Sequence, residues 1–209
     1  MSGKNLFTNV LDKWGAMLTK FLSLLLLVAP CAASAASQSI PSPNWPKPAD
    51  RGDALLRATS LRLHNDARRA FGVTPVSWNA ELAGAARGYA ERMAATGTYE
   101  HDSTPGRRKL MGENLWRGSR GLFSYDVMVG VMIEESRLFH RGVFPDVSKT
   151  GQWHDVAHYT QIVWPTTTEV GCALASNATT DYFVCRYAPT GNKDGTTLDP
   201  SLHLAERGD

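Results

Sequence analysis

The chain has 209 residues, of which 43% are hydrophobic and 20% charged, a size that suits one domain with a single core. It carries 22 Lys and Arg against 20 Asp and Glu. The first 36 residues hold three of the bases and one of the acids, so 19 of each remain after them. This balance, with the basic residues scattered apart from 107–109, excludes the electrostatic footprint of a nucleic-acid-binding protein.

Residues 1–36 have the order of charge, apolar run and small residues that is typical of a signal peptide. Three lysines precede the apolar run Phe21–Ala29, and small residues fill 32–37. The apolar run is about half the roughly 20 residues that a membrane-spanning helix needs. We therefore expect cleavage, no transmembrane anchor after processing, and secretion to the extracellular space, or to the periplasm of a Gram-negative envelope.

Two helices are predicted after the signal peptide. Residues 37–52 are rich in proline and predict an extended linker. The stretch 54–71 lacks proline and internal glycine and predicts a helix that ends at Gly72. Asn79 is a suitable N-cap for a second helix that stops near Gly97. The residues expected on the buried faces are Leu56, Leu63, Ala67 and Ala70 in the first helix, and Leu82, Ala86, Tyr89 and Met93 in the second.

The rest of the chain changes from helical to strand spacing. A third helix is predicted from Ser124 to Phe139, with the serine as its cap. Residues 170–174 and 182–187 then read as the two strands of a hairpin with its turn at 177–181. Helices followed by strands, without a regular strand–helix alternation, indicate the α+β class. Residues 193–209 read as a polar C-terminal tail.

Two cysteines remain once Cys31 leaves with the signal peptide. They are Cys172 and Cys185, which the predicted hairpin places on facing strands. An even pair in an exported protein predicts a disulfide. The alternative, a metal-binding thiol pair, lacks the close spacing of a metal knuckle and has no histidine between the two residues.

Four segments together resemble a known family. They are HNDAR at 64–68, GENLW at 112–116, HYTQIVW at 158–164 and YFVCRYAPTGN at 182–192. All four occur in the order found in the CAP superfamily, which comprises cysteine-rich secretory proteins, antigen 5 and pathogenesis-related 1 proteins. The resemblance implies a bacterial-type secreted member whose CAP domain spans 53–192 and folds as a three-layer α-β-α sandwich.

Similarity to this family also implies a central cleft with two histidines and two glutamates. The histidines map to His101 and His158, and the first glutamate maps to Glu113. The second glutamate is Glu134 or Glu135, which are about 100° apart on a helix, so only one can face inward. Periodicity leaves both open. The distance to the downstream segment 142–146 is similar to that in bacterial members if Glu135 is chosen, and we choose it.

This residue set suits more than one chemistry. The imidazoles of His101 and His158 can bind a divalent metal such as zinc, with Glu113 and Glu135 orienting them or holding a water. The same two carboxylates are the candidates for general acid-base catalysis. No GxSxG context supports a serine hydrolase. His64 is interpreted as structural, tying the first helix to its neighbours, and His154 as an exposed loop residue.

The expected function is binding. We expect a secreted module that takes a small apolar or sterol-like ligand, or a cell-surface partner, in a cleft able to hold a metal. The alternatives are a metal-dependent hydrolase that uses the same His and Glu residues, or a defence or virulence effector that acts through surface loops. No catalytic residue is assigned.

Overall fold

The computed structural model describes residues 48–199. The predicted signal peptide, the linker up to residue 47 and the tail beyond residue 199 lie outside the described residues. Within residues 48–199, no helix is long and apolar enough to cross a membrane.

The described residues form five helices and six strands. The helices are α1 (Asp53–Phe71), α2 (Ala80–Thr96), α3 (Arg107–Leu110), α4 (Tyr125–Glu134) and α5 (Ala157–Ile162). The strands are β1 (Ser77–Trp78), β2 (Gly112–Ser119), β3 (Gly142–Val143), β4 (Glu169–Ser176), β5 (Thr180–Ala188) and β6 (Thr197–Leu198). Two short 3-10 helices cover Glu135–Arg137 and Trp153–Val156.

The main sheet has the strand order β1-β4-β5-β2. β4 and β5 form an antiparallel hairpin, β2 adds to the far side of β5 in antiparallel register, and β1 pairs in parallel with β4. A second, two-stranded sheet joins β3 and β6. β5 therefore lies between two long strands, and its backbone is paired on both edges.

Helices cover both faces of the main sheet. α2 packs on one face, where Tyr89 and Met93 meet Tyr182 and Val184 of β5. α1, α4 and α5 pack on the other face against the alternate β5 residues, which include Phe183. Both faces of β5 are buried, which explains its nearly continuous apolar sequence. The predicted α+β class and three-layer α-β-α sandwich are confirmed.

The predicted disulfide is also confirmed. Cys172 of β4 and Cys185 of β5 are directly opposite each other in the hairpin register. Their sulfur atoms are bonded, and the Cα atoms lie 4.1 Å apart. In the chain-entropy model, closing a loop of this size stabilises the fold by roughly 3 kcal/mol.

The first two helices begin and end close to where the sequence predicts. Asn79 caps α2 by accepting hydrogen bonds from the backbone N–H groups of Glu81 and Leu82. The predicted inner face of α2 is buried as expected. The inner face of α1 is more polar than expected, because Ser60, His64 and Arg68 are buried there with Leu56 and Ala67, whereas Ala70 is exposed and Leu63 only half-buried.

One predicted helix boundary differs from the structure. The third helix does not run to Phe139, because α4 ends at Glu134 and the chain tightens into a 3-10 helix. The GENLW segment starts the eight-residue strand β2. Leu198, in the predicted polar tail, is fully buried in the core beside β3.

Candidate functional site

A cleft with a volume of ≈ 690 Å³ opens at one end of the sandwich. The residues that line it come from α3 and the start of β2, from α5, and from the segment that follows β5. His101, Glu113 and His158 all line this cleft. Glu135 does not line it, but contacts His158 from behind. The structure thus brings three of the four predicted residues to one cavity and the fourth into contact with one of them.

His101 forms a pair with Glu113. The two atoms in contact are His101 Nδ1 and Glu113 Oε1, 2.6 Å apart. The same Oε1 accepts the backbone N–H of Asp102 at 3.0 Å. The histidine side chain is 50% exposed, whereas that of Glu113 is 1% exposed. A buried carboxylate thus holds an imidazole that faces solvent.

The charge of buried Glu113 is balanced by two arginines. Arg186 Nη1 lies 2.7 Å from Glu113 Oε2, without the alignment of a hydrogen bond, so this contact is an ion pair. Arg107 Nη2 lies 3.5 Å from Oε1. Arg186 also donates to Asp102 Oδ2 at 2.9 Å. Buried charges require such compensation, because desolvation is otherwise costly.

Asp102 keeps its charge within this network. Burial alone would raise the pKa of its carboxyl. The side-chain and backbone hydrogen bonds from Thr104, together with Arg186, outweigh burial and lower the pKa to about 2. Asp102 therefore remains an anion at neutral pH and keeps Arg186 next to Glu113.

His158 forms the second pair, with Glu135. His158 Nδ1 lies 2.5 Å from Glu135 Oε1. Glu135 Oε2 accepts the backbone N–H groups of His158 at 2.9 Å and of Tyr159 at 3.1 Å. These N–H groups lie in the first turn of α5, where they have no partner within the helix. Glu135 thus holds both the ring and the backbone of His158.

Glu134 points elsewhere. Its side chain is 56% exposed and pairs with Arg137 at 2.5 Å. The backbone change after Glu134, from α-helix to 3-10 helix, separates the directions of the two neighbouring glutamates.

A buried chain of hydrogen bonds holds the backbone of His158 from the side of α1. Asn114 Nδ2 donates to the carbonyl of His158 at 3.0 Å and to the hydroxyl of Tyr187 at 3.0 Å. That hydroxyl lies 2.9 Å from His64 Nε2. His64 Nδ1 lies 2.7 Å from the carbonyl of Ser60, which can only accept, so Nδ1 carries the proton. The structural role predicted for His64 is confirmed.

Burial explains why the side chains in this series of hydrogen bonds are uncharged. It lowers the pKa of His64 to about 4, which the hydrogen bond to Ser60 only partly opposes. Burial also raises the pKa of Tyr187. With Nδ1 protonated and Nε2 free to accept, the Tyr187 hydroxyl donates to His64 and accepts from Asn114.

Gln161 joins three of the four sequence motifs. It lies on α5 within HYTQIVW, and its Oε1 accepts the N–H of Gly191 at 3.0 Å. A Cβ atom on Gly112 of GENLW would lie 2.1 Å from Gln161 Oε1, and one on Gly191 would lie 2.7 Å from Trp164. Both glycines therefore allow a close approach that no other residue permits. Asn192 completes the junction by donating to the carbonyl of Ala157 at 2.9 Å.

Both cleft histidines use the same ring nitrogen, Nδ1, to contact a glutamate. An ionised carboxylate can only accept, so Nδ1–H donates to glutamate in each pair, and in the neutral ring Nε2 carries the lone pair. In the part of the chain that the structure describes, neither Nε2 has a hydrogen-bond partner. Over the same residues, no three His, Cys, Asp or Glu side chains converge on one point. Two ring nitrogens without a hydrogen-bond partner thus belong to residues that line the cleft.

Several residues of the site were missed by sequence reasoning. Arg186 falls in the predicted strand 182–187, where a charged residue within an apolar run is a signal for a buried ion pair. Asp102, Asn114 and Gln161 carried no local signal. His154, expected to be exposed in a loop, is exposed but lies on a 3-10 helix at the edge of the cleft, stacked on Trp153 at 3.9 Å.

The sequence matches the family model of the cysteine-rich secretory protein family, CAP, over residues 61–187. Pathogenesis-related protein 1A of Nicotiana tabacum is 32% identical over 136 residues, which cover 65% of this chain and 76% of that protein. Pathogenesis-related protein 1 of Arabidopsis thaliana is 33% identical over 133 residues, which cover 63% and 75%.

Solved structures share the fold at lower identity. The crystal structure of NaASP2 with Zn2+ aligns with a TM-score of 0.59 and 22% identity, and covers 69% of this chain and 84% of that chain. Venom allergen-like protein 4 of Schistosoma mansoni aligns with a TM-score of 0.53 and 21% identity, and covers 70% and 97%. With the motif order, the sandwich and the paired histidines, these matches show that the chain belongs to the CAP family and is similar to its pathogenesis-related 1 members.

Proposed function

We propose that the protein is an exported CAP-domain binding protein whose cleft holds a divalent metal, zinc in the first place, through Nε2 of His101 and of His158. One observation carries the proposal. In both residues a glutamate occupies Nδ1, at 2.6 Å and 2.5 Å, so both rings are oriented and both Nε2 atoms are available. This carboxylate–histidine arrangement is the usual support of a metal-binding imidazole.

The donor set fits zinc but predicts modest affinity. Imidazole nitrogen is a preferred zinc ligand, and structural zinc sites have four protein ligands. Here the described residues offer two, which leaves the other positions to water or to a bound ligand. The metal should therefore exchange readily. The related fold of NaASP2, solved with Zn2+, supports the proposal.

The geometry favours binding over hydrolysis. A metal-dependent hydrolase needs a base next to the metal-bound water. Glu113 is occupied by His101, Arg186 and Arg107, and Glu135 is occupied by His158 and two backbone N–H groups. The Glu113 side chain is 1% exposed and Glu135 does not line the cleft, so neither carboxylate faces a metal-bound water openly, and we assign no catalytic residue.

Titration calorimetry with zinc tests the metal site on the exported protein. We expect saturable binding that His101→Ala combined with His158→Ala abolishes. Glu135→Gln should weaken binding by roughly 10–100-fold, because the ring of His158 loses its orienting partner. His154→Ala is the matched control, since this histidine lies at the edge of the same cleft without a glutamate partner. Unchanged affinity in the double variant would refute the site.

Export is the second part of the proposal. It is supported by the order of charged, apolar and small residues in the first 36 positions and by the Cys172–Cys185 disulfide, which suits an oxidising compartment. We expect an intact mass of secreted material that places the mature N-terminus between Ala35 and Gln38. A secreted species that retains Met1 would contradict cleavage.

A further inference from the structure

Three exposed cations line the cleft without a partner. Arg108 and Lys109 belong to α3, and Lys193 follows β5. None of the three forms an ion pair with any residue in the range 48–199. Elsewhere on the surface, Arg62 and Arg87 each pair with an aspartate. Within the described residues, other exposed cations without an ion pair do not line this cleft, so three such cations share one cavity.

The carboxylate among the residues that line the cleft does not neutralise these cations. The carboxylate that lines the cavity is Glu113, whose side chain is 1% exposed and already balanced by Arg186 and Arg107. Since all three cations line the same cavity, their fields add within it, and a concave low-dielectric surface focuses the field. The cleft should therefore attract anions.

The cations on α3 are held in place by the arginine that precedes them. Arg107 is buried, and its guanidinium donates to the carbonyl of Asp102 at 2.8 Å and 3.1 Å and to that of Met111 at 3.2 Å. These bonds fix the single turn of α3 at the edge of the cleft. Arg108 and Lys109 consequently start from an ordered backbone, which lowers the entropy cost of holding a ligand.

We propose that the cleft binds a ligand that carries a phosphate, sulfate or carboxylate group, held by Arg108, Lys109 and Lys193. The inference goes beyond the metal site, with which it shares the cavity but no residue. The volume of ≈ 690 Å³ is far larger than a single oxyanion requires. Trp153 and His154, which stack on each other, both line the cleft and contribute aromatic surface for the rest of the ligand. A sugar phosphate fits this combination of charge and shape, whereas a sterol would leave the three cations unpaired.

Calorimetry with glucose 6-phosphate and with glucose, on protein kept free of metal by EDTA, tests the proposal. We expect saturable binding of the phosphate ester that weakens with added salt, and no binding of glucose. Replacing all three cations in Arg108→Gln, Lys109→Gln, Lys193→Gln should weaken binding at least about tenfold, which corresponds to about 1.4 kcal/mol. The variant is expected to fold, because all three side chains are exposed.

A second triple variant controls for total charge. Arg57→Gln, Arg120→Gln, Lys149→Gln removes three exposed cations that do not line this cleft and should keep wild-type affinity. Equal weakening in both variants, or binding of glucose, would overturn the proposal. A requirement for zinc would also overturn it. Conversely, the cleft variant should still bind zinc, with an affinity that is not lowered, because three positive charges near the metal have been removed. Failure of the metal site and failure of the anion site therefore give different results.

The source of the anionic group is distinguished with vesicles. Phosphatidylcholine vesicles with and without phosphatidylglycerol present the phosphate as a lipid headgroup. Binding to the anionic vesicles that depends on the three cations, with none to glucose 6-phosphate, would assign the site to a headgroup. Binding to glucose 6-phosphate that depends on the three cations, with none to the anionic vesicles, would assign the site to a soluble ligand. Absence of binding to both probes would refute the proposal.

Discussion

The two histidine–glutamate pairs look alike at the cleft and differ behind it. Each joins Nδ1 of the ring to Oε1 of a glutamate, at 2.6 Å for His101 and Glu113 and 2.5 Å for His158 and Glu135. Behind the first pair is a buried cluster of charges centred on Arg186. Behind the second are backbone N–H groups of α5. The contact between ring and carboxylate is thus the same in both pairs, but one glutamate is held by buried charges and the other by backbone N–H groups.

Because of this difference, loss of the two glutamates should lower the stability of the fold by different amounts, although each glutamate orients a histidine ring at the cleft. Removing Glu113 disturbs a buried ion-pair network, whereas removing Glu135 exposes the start of a short helix to water. The two regions also rest on different titratable groups. Asp102 belongs to the network behind the first pair, and His64 belongs to the hydrogen-bond chain that ends at the backbone of His158.

The largest expected effect is that of Glu113→Gln. The amide keeps one oxygen for His101, but its NH2 group would face Arg186 in place of Oε2. Breaking a buried ion pair on one side costs about 4 kcal/mol, since the remaining charge is left without compensation. Urea unfolding of the variant and the wild type measures this loss. A change below about 1 kcal/mol would show that Arg186 is satisfied by Asp102 alone.

The next effect is an acid-induced loss of stability through His64. The pKa of this ring is about 4 in the folded protein, against 6.5 for a free histidine. Between these values the unfolded chain binds a proton and the folded protein does not, so the free energy of unfolding decreases as the pH falls. Stability is fully present above pH 6.5 and decreases by about 3 kcal/mol by pH 4.

Urea unfolding above, within and below this pH window measures the effect of His64. The informative variant is His64→Gln, which keeps a polar side chain but cannot titrate. Its stability should be lower at neutral pH and should vary less with pH across the window. An identical pH slope in variant and wild type would assign the acid sensitivity to other groups.

Asp102 should act in a separate, lower window. The pKa of its carboxyl is lowered from 3.8 to about 2, because hydrogen bonds from Thr104 and Arg186 outweigh the opposing effect of burial. The stabilisation is present above pH 3.8 and is lost as the pH falls through about 2, by about 2 kcal/mol. Carbon NMR titration of the Asp102 carboxyl in the folded protein checks the shift directly. A midpoint near 3.8 would show that the two regions do not differ in this way.

The sequence predicted those parts of the fold that have local signals. α2 has a capping asparagine at Asn79 and apolar residues at helical spacing, and both predictions are confirmed. The hairpin and its disulfide follow from the alternation around Cys172 and Cys185. The end of α4 was predicted wrongly, because the switch to a 3-10 helix follows contacts of Glu135 with α5, which are distant in sequence.

The candidate site depended on family resemblance more than on periodicity. His101 lies outside helices and strands, and no local pattern marks it. The polar inner face of α1 also escaped periodicity, since Ser60, His64 and Arg68 are buried there through hydrogen bonds and not through apolar packing. Arg68 donates to the carbonyls of Ile162 and Trp164, so its burial is explained only by the tertiary structure.

The smallest expected effect completes the comparison of the two pairs. In Glu135→Gln, one oxygen can still accept, but the NH2 group cannot accept the bonds that Oε1 or Oε2 now receives from His158 and Tyr159. Loss of such a bond at a helix start costs about 1 kcal/mol, well below the cost expected for Glu113→Gln.

Glu134→Gln is the neighbouring control for this last prediction. Its side chain is 56% exposed and pairs only with Arg137, and exposed pairs of this kind contribute about 0.5 kcal/mol or less. Thermal unfolding of the two variants should therefore show a lower midpoint for Glu135→Gln and almost none of that shift for Glu134→Gln. Equal shifts would mean that Glu135 does not hold α5. A shift for Glu135→Gln as large as that for Glu113→Gln would mean that both pairs rest on buried charge, and the distinction drawn between them would be lost.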